Sequence, residues 1–525
     1  MRQPVSIFND VIGPVMVGPS SSHTAASARI GYLLRCICRN QPQQILCEFS
    51  CFGSLALCHE GQGTDMGLAG GLLGLAPDDE RMPQAMALAF EAGIELTFAI
   101  TEEAFKHPNT YQIRAQGGGR QFSATFISSG GGMIELQKLN TIPLSIDGGY
   151  YETLFVLEKC NESAARQAAH TLGATLIDYE GFRLENDGEG NYLINVKSAR
   201  PYSGAELAFQ ETEIKNLHLA DIIQLPPVLP IQSYRSCPGL FNTAAEIEAL
   251  AQEHKLTLAQ LALLYEARRG HISEAEVYER MRQLLRVMRQ AIERAEGRPE
   301  FAGRILPPQA HLLETAPLLP NQTLNAALRN ITLLMEAKSA MLPIVAAPTA
   351  GSCAALPGTI IGAAQSLGKG EDEMVEALLA AALVGVLIAR HATFAAEVGG
   401  CQAECGAGSG MAAAGLAQMM GGNAQTALNA AALALQNVFG LVCDPVASRV
   451  EAPCLGRNIM AGANAIAMAQ AALAGFDPLI PLDETIAAMH EVGRKIDSSL
   501  RCTCRGGLSV TPTARAIEQK LDAKS

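Results

Sequence analysis

The sequence predicts an α+β amino-terminal domain, a small α/β module and a mainly α-helical carboxy-terminal domain. Short segments rich in β-branched and aromatic residues, joined by glycine turns, fill residues 1 to about 145. A strand, a helix and another strand follow before a proline-rich stretch, and helical apolar spacing continues from Thr243 onward. Because 525 residues exceed what one hydrophobic core accommodates, we place the domains at 1–148, 149–231 and 232–525.

The amino-terminal domain begins with a helix and continues as strands. In "VGPSSSHTAASARIGYLLRCICR", a Gly-Pro turn and three serines able to cap a helix precede apolar residues at helical spacing. This pattern predicts a helix that begins near Ser22. Strands are predicted in "QILCEFSCFGSLA", "IELTFAI" and "YQIRAQGGGRQFSATFISSGGGMIELQKL", where glycines mark the turns.

The middle module is predicted from three segments: the strand "TLFVLEKC", the helix "ESAARQAAHTLGATL" and the strand "YLINVKSA". This order is compatible with a small ferredoxin-like regulatory module. The proline-rich stretch "QLPPVLPIQSYRSCPG" then marks a domain boundary, because the composition changes after it.

The carboxy-terminal domain is predicted as a helical bundle, first charged and amphipathic and then rich in alanine. Within it, Met374 to Arg390 is the segment most like a membrane span. This segment contains Glu376, is dominated by alanine and is slightly short for a bilayer. A buried core helix is therefore the preferred interpretation.

Composition and charge narrow the class of partner. Hydrophobic residues make up 48% of the chain, charged residues 17% and aromatic residues 5%, with no Trp, which favours close-packed helices of small residues. The formal net charge of −13 and the absence of a basic run argue against a nucleic-acid partner or an anionic membrane. We expect a small-molecule partner.

Cysteine usage follows from the predicted compartment. The segment "MRQPVSIFNDVIGPVM" does not resemble a signal peptide, so we expect a cytoplasmic protein whose 14 cysteines do not form a disulfide framework. Three of them, Cys401, Cys443 and Cys454, lie beside glycine or proline at predicted helix ends. Zinc is poorly supported because no C-x2-C pair accompanies them. An iron–sulfur cluster with three protein ligands, or plain packing, remains open.

Several motifs resemble one enzyme family. They are, in chain order, "GPVMVGPSSSHTAASARIG", "CFGSLAL", "GQGTD", "HPNT", "SSGGGMIE", "APTAGSCAALPG", "GGCQAECGAGSGMAAAGLAQMMGG", "GLVCDPVASRVEAPCLGRN" and "RGGLSVTPT". Together they resemble the iron–sulfur-dependent L-serine dehydratases (L-serine ammonia-lyases). The amino-terminal part resembles the β component of that family and the carboxy-terminal part its α component. The middle module sits where the family often has an ACT domain, so it is interpreted as ACT-like.

The resemblance implies an activity, a cofactor and site residues. It implies that L-serine loses water to give pyruvate and ammonia, with Cys401, Cys443 and Cys454 holding a 4Fe-4S cluster whose fourth iron is open to substrate. His23 and His107 become candidates for proton transfer. The candidate substrate-binding residues are Ser20, Ser21, Ser22, Thr24, Thr64, Asp65 and Asn109. A homodimer is the usual expectation for a soluble enzyme of this size.

Simpler interpretations exist for most of these residues. The serines before the first helix could serve only as its N-cap. Asp65 could cap a loop, and His107 could be an exposed turn residue. Cys502 and Cys504, in "RCTCRGG", could approach the open iron or be inert.

One departure from the family pattern bears on activity. Gln62 stands where the family usually has a histidine that is a candidate general base, and an amide cannot take a proton. Either His23, His107 or His391 does this work, or the activity has changed. The alternatives are a lyase for another β-substituted amino acid, or a catalytically silent relative that binds an amino acid. A pyridoxal-phosphate enzyme has only Lys338 in its favour.

Overall fold

The computed structural model describes residues 4–234, 239–301, 303–316 and 318–523, so residues 235–238 of the predicted proline-rich boundary lie outside the described part. The predicted fold class is confirmed. An amino-terminal region built on one sheet and a smaller α/β module on a second sheet precede a mainly helical region.

The amino-terminal region packs helices against one face of a six-stranded sheet with the order β3-β2-β4-β5-β6-β7. Only β2 and β3 pair in parallel; their neighbours in this sheet pair antiparallel. The sheet consists of β2 (Pro42–Ser50), β3 (Glu95–Thr101), β4 (Thr110–Gly117), β5 (Arg120–Gly130), β6 (Met133–Leu139) and β7 (Ile142–Ile146). The region also contains the short strand β1 (Val15–Met16), which lies outside this sheet, and the helices α1 (Ala26–Ile37), α2 (Leu55–Cys58), α3 (Thr64–Leu73) and α4 (Ala85–Glu91). The helix and strands predicted for this region are present, but the strand predicted over residues 44–56 ends at Ser50, and its last residues lie in a turn and in α2.

Glycines let α1 and α3 approach each other closely. A Cβ at Gly71 would overlap the carbonyl of Ala28, and a Cβ at Gly67 would overlap the carbonyl of Thr24. Because only glycine leaves room for this contact, the first turn of α3 lies directly against the turn that precedes α1.

The middle module has four antiparallel strands in the order β11-β8-β10-β9. Its elements are β8 (Tyr151–Leu157), α5 (Glu162–Thr175), β9 (Tyr179–Asn186), β10 (Tyr192–Ser198), α6 (Gly204–Ile214) and β11 (Leu219–Leu225). This order is the ferredoxin-like arrangement expected from the sequence. One sheet face packs on α5 in a separate core that includes Phe155 and Leu172, whereas Leu154 and Leu193 belong to the core of the amino-terminal region.

The carboxy-terminal region is a helical bundle that begins, as predicted, directly after Thr243, whose side chain caps α7. Its elements are α7 (Ala244–His254), α8 (Leu258–Gly270), α9 (Glu274–Glu296), α10 (Leu312–Thr315), α11 (Gln322–Ser339), β12 (Ile344–Val345), α12 (Ala355–Leu367), α13 (Glu371–His391), α14 (Ala396–Gly399), α15 (Cys405–Met419), α16 (Ala424–Gln436), α17 (Cys454–Leu473), α18 (Leu482–Lys495) and α19 (Pro512–Asp522).

Helix α13 is the central helix of this bundle and contains the segment that most resembled a membrane span. It packs against α8, α9, α12 and α15, and its residues from Ala377 to Ile388 are all buried in the protein core. No helix among the described residues is long and apolar enough to cross a membrane.

The first residues of the described chain pack into the helical bundle, which the sequence did not reveal. Strand β1 pairs antiparallel with β12, and Ile7 and Val11 belong to the helical core. The Ser6 hydroxyl and the Ile7 amide both donate hydrogen bonds to the buried carboxylate of Glu266, at 2.6 and 2.8 Å. The segment before α1 is therefore anchored in the helical bundle.

Candidate active site

The serine-rich turn before α1 surrounds a buried histidine. Residues Ser21–Ala25 form one π-helical turn that continues into α1, and Ser20 is its N-cap residue. The Ser20 side chain caps no backbone amide; its hydroxyl lies 2.9 Å from Nδ1 of His23, and the Ser22 hydroxyl lies 3.1 Å from the same atom. These serines therefore position His23 as well as beginning a helix.

The hydrogen bonds of His23 define its tautomer. Its Nε2 lies 3.3 Å from Sγ of Cys58, and the single thiol proton of Cys58 is donated to the Ser54 carbonyl. Sγ must then accept from an Nε2–H group, which leaves Nδ1 as the proton-accepting nitrogen. Burial lowers the pKa of His23, although the nearby carboxylate of Glu397 opposes this shift. His23 is thus a neutral base.

Glu397 is a functional candidate that sequence reasoning missed. It lies in α14 of the helical bundle, and its Oε1 accepts a hydrogen bond of 2.8 Å from the Ser22 hydroxyl. Its Oε2 is buried without a hydrogen-bond partner among the described residues. The available signal was its place in "AAEVGGC", four residues before a predicted cluster cysteine.

The "GQGTD" segment lies beside the same turn. The Thr24 hydroxyl donates to the Gln62 carbonyl at 2.9 Å, and the predicted residue Thr64 is fully buried at the start of α3. Oδ1 of Asp65 lies 2.6 Å from Nδ1 of His59, a second histidine that sequence reasoning missed. The carboxylate of Asp65 is therefore already engaged by His59, and Glu397 is the carboxylate beside His23.

The "HPNT" turn adds a buried amide to the site. His107 is half-buried, and its Nδ1 accepts a hydrogen bond of 3.1 Å from the backbone N–H of Asn109. Burial lowers the pKa of His107. Oδ1 of Asn109 accepts a hydrogen bond from the Ser54 hydroxyl, next to Cys58. Nδ2 of Asn109 is buried without a partner in the described part of the chain.

Five buried thiols form a second group. Cys401 lies in the turn before α15, Cys443 in the loop before α17 and Cys454 at the first position of α17, as predicted for helix ends. Cys405 and Cys502 join them. A hydrogen bond from the Cys405 thiol lowers the pKa of Cys401 to about 7, whereas burial raises the pKa of Cys454 to about 12.

A loop near the carboxyl end fixes Cys443 against Cys502. The Cys443 amide donates to the Leu500 carbonyl, and the Cys502 amide donates to the Cys443 carbonyl, each at 2.8 Å. The two thiols are close enough to share a hydrogen bond. Asp444 is held by Arg457 at 2.6 Å and by the Leu508 amide at 2.8 Å, so the "RGG" segment secures this loop.

The chemistry of these donors can be compared with the cofactor that the resemblance implies. Cys401 interacts electrostatically with both Cys443 and Cys454, and its lowered pKa favours the thiolate form that metals bind. Among the described residues, no three His, Cys, Asp or Glu side chains surround a single ion position. Separate buried thiols on three segments suit a multi-iron cluster better than one ion.

Gln62 links the histidine group to the thiol group. Its Nε2 donates to Sγ of Cys502 at 3.3 Å, and its side chain is buried. Cys58, the partner of His23, also interacts electrostatically with Cys502. The two groups therefore form one continuous buried site between the amino-terminal region and the helical bundle.

Three other residues singled out in the sequence have different surroundings. His391 is exposed, and its Nε2 lies 2.6 Å from the Asn242 carbonyl. Lys338 is fully buried and donates to the Val450 carbonyl, on the loop that leads to Cys454. The Cys504 thiol lies 3.9 Å from the Pro445 carbonyl.

Comparisons with known proteins match both halves of this site. The family model described as "Serine dehydratase alpha chain" matches residues 253–509, and that described as "Serine dehydratase beta chain" matches residues 9–85. A probable L-serine dehydratase alpha chain of Bacillus subtilis is 34% identical over 291 residues, which cover 54% of this chain and 95% of that protein. The chain belongs to the serine dehydratase family.

Further relatives cover each region of this serine dehydratase separately. The L-serine dehydratase alpha chain of Peptoniphilus asaccharolyticus is 34% identical over 53% of this chain and 98% of its own length. A probable L-serine dehydratase beta chain of Bacillus subtilis is 41% identical over 29% of this chain and 67% of its own length. In this family member, the alpha-like region contributes the thiols and Glu397, and the beta-like region contributes His23.

Proposed function

We propose that this protein is a cytoplasmic L-serine dehydratase, a lyase that converts L-serine to pyruvate and ammonia. The observation that carries the proposal is the single buried site in which the His23 group of the beta-like region meets Glu397 and the thiols of the alpha-like region. Both family matches support this reading, since each supplies one half of the site.

The chain offers donors for the substrate carboxylate. Ser20, Ser21 and Ser22 lie at the amino-terminal end of a helical segment that runs through α1, where free backbone amides and the helix dipole favour an anion. Nδ2 of Asn109 is buried and lacks a partner in the described residues, which suits a bound oxygen ligand. The Thr24 hydroxyl fixes the neighbouring turn by donating to the backbone carbonyl of Gln62.

His23 accepts the α-proton of serine at Nδ1 in this proposal. Nδ1 is the acceptor nitrogen, and the Ser20 hydroxyl, 2.9 Å away, can donate to it, whereas the Ser22 hydroxyl gives its proton to Glu397. The Glu397 carboxylate, 3.7 Å from Nδ1, stabilises the positive charge that the ring gains. Loss of the β-hydroxyl then gives an enamine, which tautomerises and takes up one water to release pyruvate and ammonia. His107 is the second candidate base.

Cys401, Cys443 and Cys454 would hold a 4Fe-4S cluster. When bound, such a cluster supplies Lewis acidity for the departure of the substrate hydroxyl. The small apolar residues around the thiols, including Ala355 and Ala461, exclude water from this part of the site. Cys502 and Gln62 border the same space from the side of the histidine group.

The proposal also covers alternative substrates, the oligomeric state and the role of the middle module. A related β-substituted amino acid could replace L-serine, and an amino-acid-binding relative without turnover is the alternative, because Gln62 occupies the position of a family histidine. We expect a homodimer. The ACT-like module is a place where an effector would act on the amino-terminal core that it contacts.

Anaerobic reconstitution with iron and sulfide tests the proposal. Iron content and visible absorption should report a cluster, and a pyruvate and ammonia assay should show turnover among L-serine, L-threonine and other β-substituted amino acids. The Cys443→Ser variant should lose both the cluster and the turnover. Zinc or metal-free protein that is indifferent to Cys443→Ser would contradict the cofactor. Amino-acid binding without turnover, in protein that holds its cluster, would favour the silent relative.

A further inference from the structure

We infer that Glu397 binds the α-ammonium group of the substrate and restricts the site to amino acids. This inference rests on the proposed function and adds a residue that determines specificity. Glu397 comes from the alpha-like region, whereas the groups expected to bind the carboxylate come from the beta-like region. Substrate would therefore connect the two regions through its two charged ends.

The burial of Glu397 is the first argument. Its side chain is 2% exposed, and Oε2 has no hydrogen-bond partner among the described residues. A buried carboxylate oxygen without a partner costs several times the net gain of an ordinary hydrogen bond. A ligand that donates a charged hydrogen bond to Oε2 would remove this cost.

The fixed orientation of Glu397 is the second argument. The Ser22 hydroxyl donates to Oε1 at 2.8 Å, which holds the carboxylate plane and leaves Oε2 as the available oxygen. Oε1 also lies 3.7 Å from Nδ1 of His23, so the carboxylate that carries the free oxygen lies beside the nitrogen expected to take the α-proton. The ammonium and the α-hydrogen of an amino acid are bonded to the same carbon, which matches this proximity.

The local charge balance is the third argument. Within the described ranges, His23 is the only basic side chain within 4 Å of the Glu397 carboxylate, and burial favours its neutral form. Glu404 and His107 also feel the Glu397 charge, and neither neutralises it. Asp65 is paired with His59. The site therefore lacks one positive charge, which an ammonium group supplies.

Paired ligands that differ only in the ammonium group test the inference. L-alanine and L-lactate share a carboxylate and a methyl group, and neither has a β-leaving group. Calorimetric titration of the reconstituted wild-type holoenzyme should show tighter binding of L-alanine than of L-lactate. The Glu397→Gln variant should bind L-alanine about ten- to a hundredfold more weakly and L-lactate with unchanged affinity.

Two further variants keep the test decisive. Glu152→Gln changes a buried glutamate of the middle module and should leave the preference for L-alanine intact. Glu397→Asp keeps the negative charge but shortens the side chain by one methylene group, which moves the carboxylate away from the ammonium group. This variant should therefore weaken the binding of L-alanine but not of L-lactate. Retained L-lactate binding reports a folded site in each variant.

The outcomes separate this inference from the proposed function. Equal affinity of the wild type for both ligands, or unchanged L-alanine binding in Glu397→Gln, overturns the role of Glu397 even if L-serine is turned over. A selective loss of L-alanine binding in Glu397→Gln supports that role. If the wild type then forms no pyruvate from L-serine, the dehydratase activity fails while the ammonium site stands.

Discussion

At the scale of single residues, a chain of short contacts determines which atom can take a proton. The Cys58 thiol donates to the Ser54 carbonyl, and Nε2–H of His23 donates to Sγ of Cys58. The Ser20 hydroxyl can donate to Nδ1, while the Ser22 hydroxyl donates to Glu397. Gln62 stands where the family resemblance implies a histidine, and its Nε2 donates a hydrogen bond of 3.3 Å to Sγ of Cys502. We propose that the turn before α1 provides the base in this chain through His23.

The Gln62→His variant tests this assignment of the base. We expect turnover of L-serine to change by less than about fivefold, because His23 already fills the role that general-base catalysis requires. Steady-state kcat of the reconstituted protein is the measurement, and His391→Asn is the matched control for a histidine outside the site. A rise of about a hundredfold or more in Gln62→His would show that the native chain lacks a working base.

Acid should weaken the fold through His23. Burial lowers the pKa of His23 in the folded chain below its ordinary value of about 6.5. The unfolded chain therefore binds a proton that the folded chain resists, so the free energy of unfolding falls as the pH drops below about 6.5. Denaturant titrations between pH 7 and pH 5 should show a smaller fall in His23→Asn than in the wild type. An identical fall in both proteins would contradict a buried neutral His23.

The sequence predicted much of the site at this scale. The position of the cysteines at helix ends followed from local motifs and is confirmed. The substrate-binding roles of Ser20, Thr64 and Asn109 stay predictions, and all three residues are buried. Glu397 and Cys58 were missed because their roles depend on contacts between residues 375 and 35 positions apart in the chain. Such contacts have no local sequence pattern.

At the scale of elements, the crossing of α1 and α3 positions the beta-like half of the site. The carbonyls of α1 and its preceding turn lie where Cβ atoms at Gly67 and Gly71 would be. This contact places Gln62, two residues before α3, next to Thr24, whose hydroxyl donates to the Gln62 carbonyl. A side chain at either glycine would separate the helices.

The Gly71→Ala variant should therefore destabilise the protein. Overpacking of a close helix contact costs about 1–3 kcal/mol, and we expect a loss of that size in the free energy of unfolding measured by urea titration. Gly173→Ala is the control, since Gly173 lies in α5 with no atom near the added methyl group. It should stabilise the chain by about 0.5–1 kcal/mol through helix propensity. Equal effects of the same sign would contradict the packing argument.

The elements themselves were predicted unevenly. Long periodic segments such as α13 and the strands β2 to β6 were identified, whereas β1 and, in the module, β9, α6 and β11 were missed. Strand β9 explains why: its residues Tyr179–Asn186 are all exposed or half-buried and include charges, so they show no clean alternation. Its pairing with β10 is what makes it a strand.

At the scale of the whole molecule, the described amino-terminal segment joins the two halves of the site. It is anchored in the bundle by the β1–β12 pair and by Glu266 before the chain reaches the serine turn. The sequence indicated separate domains, and it gave no sign that residues before β1 belong to the helical core.

Loss of the Glu266 anchor should weaken the whole assembly. In Glu266→Ala, the Ser6 hydroxyl and the Ile7 amide lose a buried acceptor, which costs about 1–3 kcal/mol for each unsatisfied group. We expect a lower midpoint of urea unfolding and faster proteolytic cleavage before β1. Glu274→Ala, at the first position of α9, is a control for removal of a glutamate that lies outside this core. Unchanged stability and cleavage in Glu266→Ala would contradict the anchoring.

The central claim is that the His23 group and the thiol group serve one reaction on L-serine. The direct measurement is the rate of pyruvate formation from L-serine by reconstituted wild type, His23→Asn, Cys443→Ser and the double variant. We predict losses of about a hundredfold or more in each single variant and little further loss in the double variant, because groups that act as a unit are not additive. His23→Asn should retain its cluster. A His23→Asn variant that forms pyruvate as fast as the wild type would contradict the claim. So would a cluster-loaded wild type that forms no pyruvate.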